Sequence, residues 1–144
     1  MPAVVHLAAA VHTQLARAHA GSASREFVGV LGGRLAGAAA RVSTFVPLPN
    51  AAAANDRFVV APLAFAAAEA DLRACGLDWL GFAHGHPTGS AELSAVDRAE
   101  LWRDCVQLVV AGGGAHALDV RAYRFVAGGW RALRVATPRA AFVR

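Results

Sequence analysis

One run of the chain leaves little freedom in how its middle can fold. Residues 79–83 are apolar enough for a buried strand, and they lead directly into His84-Gly85-His86-Pro87. Residues i and i+2 of an extended segment face the same way, so both imidazoles can reach one point. Gly85 keeps the backbone between them uncrowded, and Pro87 ends the strand just after the pair. Two histidines need a third ligand before they form a zinc site with one position left for water. Asp97 is the candidate, because the ten residues between it and His86 let the chain turn back. Glu92 and His116 are weaker rivals. Ser94-Ala95-Val96-Asp97 also reads as a capping box, with serine at the N-cap and an acid three residues later. The two readings are compatible, since an aspartate in a first helical turn can point toward a strand end.

The rest of the chain supplies a frame for this run. Val4, Leu7, Ala8, Val11, Leu15 and Ala18 recur at helical spacing and predict a helix over 4–20, stopped by Gly21. His6, His12 and His19 fall off that stripe and are expected at the surface. Residues 26–35 read as a buried strand with Gly32-Gly33 as a bulge or close approach. A second strand is expected over 40–48, and a short third over 57–61. Pro62 suits the first turn of a helix running to Ala74, with Gly76 as its stop. A helix from Ser94 to about Arg103 and a strand over 106–111 follow. Gly128-Gly129 then marks a hairpin between strands over 117–126 and 130–135. In 144 residues without repeat or linker, this order predicts one α/β domain over residues 1–144, a single mixed β-sheet flanked by helices.

Composition removes several classes. With 56% hydrophobic and 17% charged residues, the chain can bury a core and is not expected to be disordered. The apolar N-terminus ends in Ala18-His19-Ala20-Gly21, which imitates a signal cleavage site. No positive charge precedes Arg17, however, and His6, His12, Thr13 and Gln14 interrupt the run, so neither a signal peptide nor a membrane span is expected. Cys75 and Cys105 form no CxxC pair and are expected to be small buried thiols of a cytoplasmic protein. All 14 basic residues are arginine, the net charge is +4, and residues 120–144 hold six arginines and no acid. These arginines are spaced singly, which fits solvated strand faces better than a nucleic-acid stripe.

A zinc site that activates water also needs a base, and a carboxylate serves when burial raises its pKa. Glu26 is such an acid, at the head of the apolar run Glu-Phe-Val-Gly-Val-Leu-Gly-Gly. The plain alternative is a charge at the exposed start of a strand.

Leu80-Gly81-Phe82-Ala83-His84-Gly85-His86-Pro87, then six residues, Ser94, two residues and Asp97, resembles the signature of the JAMM (MPN+) metalloproteases. Glu26 with Gly29, Leu31 and Gly33 resembles the family's glutamate-bearing strand. The segment from Asn50 to Pro62, with Asn55 and Phe58, is similar to the middle of prokaryotic members. The resemblance spans about Glu26 to Ala111. It implies that His84, His86 and Asp97 ligate Zn2+, that Glu26 binds the catalytic water and shuttles its proton, and that Ser94 hydrogen-bonds the developing oxyanion. The implied fold is the JAMM/MPN sheet between helices, cytidine-deaminase-like. A deaminase itself is disfavoured, since neither His-x-Glu nor Pro-Cys-x-x-Cys occurs. The implied reaction is hydrolysis of a peptide or isopeptide bond after the C-terminal Gly-Gly of a ubiquitin-like or sulfur-carrier protein, with no membrane partner. The departure is Gly85, where the family usually has serine or threonine, so a hydrogen bond behind the metal ligands is expected to be missing. The reading from another class is a non-catalytic MPN scaffold whose arginine-rich C-terminal hairpin contacts a protein or nucleic acid.

Overall fold

The apolar run that ends in His84 lies in the middle of the sheet. In the computed structural model, which describes residues 2–114 and 117–138, the order is β1 (Val4–Leu7), α1 (Ala9–Gly21), β2 (Val28–Ala36), β3 (Ala39–Leu48), α2 (Pro62–Ala74), β4 (Asp78–Gly85), α3 (Ala95–Glu100), β5 (Val106–Gly112), β6 (Leu118–Val126) and β7 (Gly129–Ala136). β4 pairs antiparallel with β2 on one side and parallel with β5 on the other. A strand flanked on both sides and covered on both faces must be apolar throughout, which is why its sequence does not alternate.

The mixed sheet is present, but it closes into a barrel in the order β1-β3-β2-β4-β5-β6-β7. Closure depends on Val4–Leu7, expected as the first turn of a helix and found as a strand. Val5 and Leu7 are buried and His6 is exposed, the alternation of a half-buried strand. This short strand pairs in parallel with both β3 and β7, so among the described residues no sheet edge is left open. The helix begins only at Ala9.

The helices pack on opposite faces. Val11 and Leu15 of α1 join one core cluster with Leu31, Val42, Phe45, Leu108 and Val110, and Leu133 and Val135 of β7 pack against it. Each such buried aliphatic side chain stabilises the fold by about 1.5–3 kcal/mol. Ala68 and Leu72 of α2 pack on the other face with Val28, Val30 and Phe82. Gly32 permits this approach, because a Cβ there would overlap Leu72. The strand register also shifts at Gly32, as its pairing with Gly33 suggested.

Residues 57–61 do not join the sheet. Asn50 Oδ1 accepts a 3.0 Å hydrogen bond from Val59 N–H, so a side chain replaces the neighbouring strand. α3 ends at Glu100, short of Arg103, because Leu101 is already extended at φ −63°, ψ 143°. Cys105 is buried but Cys75 is exposed, against expectation, and both are free. Among the described residues no helix is long and apolar enough to cross a membrane.

Candidate metal centre

Strand register brings the distant residues together. Val28 of β2 is paired with His84 of β4. Beyond that pair, Gly85 N–H donates to Phe27 O at 3.1 Å, and one step further along lie Glu26 and His86. His86 N–H donates to Val110 O at 2.8 Å, which fixes the strand end against β5. α3 opens with the expected capping box: Ser94 Oγ accepts from Asp97 N–H and Asp97 Oδ2 accepts from Ser94 N–H, both at 3.0 Å. The box turns the Asp97 carboxylate toward the strand end. Oδ1 lies 3.1 Å from His84 Nε2 and Oδ2 lies 2.8 Å from His86 Nε2.

His84, His86 and Asp97 therefore converge, and each is at most 8% exposed. The two Nε2 atoms are 3.3 Å apart. Tetrahedral ligands on zinc at about 2.0–2.1 Å stand roughly 3.3–3.4 Å from one another. His86 Nδ1 donates to Ser90 O at 2.8 Å, so the Nε2 hydrogen that reaches Asp97 in the metal-free fold is the one an ion would displace. Two imidazole nitrogens and one carboxylate suit zinc by donor type as well. The residues present fit a divalent cation.

The surrounding charges are arranged unequally. Burial opposes the charge of Asp97, but hydrogen bonds from His84 and His86 outweigh it and hold the carboxyl well below the usual range. Burial pushes His84 down, toward the neutral ring a ligand needs. The hydrogen bond to Asp97 moves His86 up. Glu26 is only 4% exposed, its Oε1 has no hydrogen-bond partner, and it lies 3.9 Å from His84 Nε2. Burial first, then the charge of Asp97, pushes its pKa up to about 7, with His86 opposing.

Two supports were not legible as such. Asn50 uses all four of its hydrogen-bonding positions: it donates to Glu26 O at 2.9 Å and to Arg57 O at 3.1 Å, and accepts from Ala52 and Val59 N–H. It thereby ties the backbone at Glu26 to the 49–60 loop. Phe58 places its ring 4.9 Å from that of His84, whose Nδ1 has no hydrogen-bond partner. Of the rivals, Glu92 is exposed and faces Arg121 at 3.6 Å, and His116 lies outside the described residues. His19 is not a free surface histidine, since its Nε2 meets Gly112 O at 2.8 Å. It also explains Gly85. A Cβ at Gly85 would overlap the Phe27 ring and come 2.9 Å from His19 Nδ1. The place of a serine side chain is thus filled by Phe27 and His19.

Residues 8–126 match the sequence profile of the prokaryotic homologs of the JAB domain. The chain belongs to this family. No curated protein matches it. The JAB domain is similar in fold to the solution structure of a protein from Desulfitobacterium hafniense, with a TM-score of 0.85 and 21% identity over 96% of this chain and 95% of that one. In this JAB domain the matched span takes in Glu26, His84, His86, Ser94 and Asp97.

Proposed function

We propose that this JAB domain, taken as one domain over residues 1–144, is a zinc-dependent peptidase or isopeptidase. Its bond is the one after the C-terminal Gly-Gly of a ubiquitin-like or sulfur-carrier protein in the cytoplasm. The observation that carries this reading is the convergence of His84, His86 and Asp97 beside an unpartnered, buried Glu26 carboxylate. His84, His86 and Asp97 would hold the ion. When bound, zinc polarises a carbonyl and lowers the pKa of water from 15.7 toward about 7.

Glu26 takes the water proton at its carboxylate and passes it to the leaving amine. A buried carboxylate whose Oε1 has no hydrogen-bond partner is free to take that proton and pass it on. Ser94 Oγ spends a lone pair on Asp97 N–H and keeps its own hydrogen. That hydrogen is available to the oxyanion that forms on the scissile carbonyl. The Phe58 ring lies against that of His84, which is fully buried, and keeps bulk water from it.

Cleavage of a Gly-Gly-terminated fusion by the zinc-loaded protein tests the proposal. Cleavage is expected to stop with a chelator and to return with Zn2+. Glu26→Gln should keep its zinc and lose about 100-fold or more in kcat. A variant that cleaves as well as the parent would overturn the role of Glu26. Salt-dependent nucleic-acid binding without cleavage would favour the scaffold reading.

A further inference from the structure

Beside the metal centre lies a cavity of about 500 Å³ whose wall includes Asp97 itself. The rest of its lining is largely apolar, with Phe58, Val60, Phe65, Phe82, Leu101 and Trp102. Phe58 belongs to both places, lining the cavity and lying against the ring of His84. The cavity wall is held by aromatic and polar contacts. Trp102 meets Phe65 and Phe82 edge-on, with ring centroids 5.8 and 5.6 Å apart. The fully buried Gln107 donates to Trp102 O at 3.0 Å and anchors that corner from beneath. An ion pair between Arg57 and Glu100, at 3.1 Å, joins the loop side to the α3 side.

The mouth is unusually apolar. The described residues include four exposed large hydrophobic side chains. Val59 and Trp102 line the cavity, and Leu63 follows the lining residue Pro62. Preformed apolar pockets with a few polar groups at the edge are how proteins hold small apolar bodies. A cavity of this volume is about 10 Å across, the span of roughly three extended residues at about 3.3–3.6 Å each. Two glycines at the scissile bond carry no side chain to fill it. The residue before them can.

We propose that this cavity is a specificity pocket for one bulky apolar side chain of the substrate, carried on the residue immediately before its Gly-Gly. The inference rests on the hydrolase reading above and names the substrate class of the same site. The acyl segment runs from the Asp97 end of the cavity, and the side chain seats among Phe58, Phe65, Phe82 and Trp102.

Three fluorogenic peptides test it on the zinc-loaded protein: Phe-Gly-Gly, Leu-Gly-Gly and Ser-Gly-Gly, each joined to an aminocoumarin. The Phe and Leu peptides should exceed the Ser peptide by about 10–100-fold in kcat/KM. Val60→Phe, which fills the cavity from the loop, should bring the Phe and Leu peptides down toward the rate of the Ser peptide. Binding is read separately, as a change in Trp102 emission on adding the free acid Phe-Gly-Gly, absent in Trp102→Phe and absent with Ser-Gly-Gly. Equal rates for all three peptides, or equal slowing of all three by Val60→Phe, would overturn the pocket and leave the hydrolase standing. Selective binding of Phe-Gly-Gly with no cleavage would keep the pocket and overturn the hydrolase. Absence of both binding and cleavage would overturn the pocket.

Discussion

On one face of the C-terminal end of β4, the Phe27 ring lies against Gly85, with Phe45 edge-on at 5.8 Å and His19 beside it, and no room is left for a Cβ. On the other face, His84 and His86 turn their nitrogens to Asp97, Glu26 Oε1 has no partner, and a cavity begins. The two faces are separated by a single strand. The packed face fixes the register of β2 on β4 through Phe27, the neighbour of Glu26. The open face then receives a buried carboxyl whose position is set by packing it does not take part in. Unsatisfied polar atoms are costly in a core, and Glu26 Oε1 and His84 Nδ1 are two such atoms beside the convergent ligands, where the fold gives up stability for chemistry.

The largest effect on this contrast is expected at Glu26. Its pKa is raised from 4.5 to about 7, so its favourable contribution is complete below pH 4.5 and is lost as pH rises through 7. Ionised in the metal-free fold, it costs about 3 kcal/mol. Glu26→Gln should therefore match the metal-free wild type near pH 4.5 and be more stable by about 3 kcal/mol at pH 8, in paired urea titrations. A gap that does not widen between those pH values would mean the carboxyl is not strained by its site.

A smaller effect is expected from the packed face. Gly85→Ser installs the residue type usual in the JAMM signature, yet here its Cβ overlaps Phe27. Overpacking should cost about 1–3 kcal/mol. Phe27→Ala should reduce that cost when the two changes are combined, as a double-mutant cycle in denaturant would read. Full additivity would show that Gly85 is not there to admit Phe27.

The sequence made the open face legible and the packed face almost invisible. His84, His86 and Asp97 could be read because a strand pair and a capping box are local features and because their spacing resembles the JAMM signature. Pro62–Ala74 was equally clear, bounded by proline at its start and Gly76 beyond its end. Barrel closure was not, because β1 pairs with β7 across more than a hundred residues and its four residues also fit a helical stripe. Residues 57–61 have strand composition, but the side chain of Asn50 takes the place of the neighbouring strand. Gly85 looked like a missing hydrogen bond. Only the fold reveals Phe27 and His19 in the space.

Zinc titration of the metal-free protein by calorimetry tests the central claim most directly. One ion per chain is predicted, with affinity little changed in Glu26→Gln and weakened by more than about 100-fold in His86→Ala, beyond what a residue behind a ligand contributes. Zinc binding that survives His86→Ala undiminished would contradict the account.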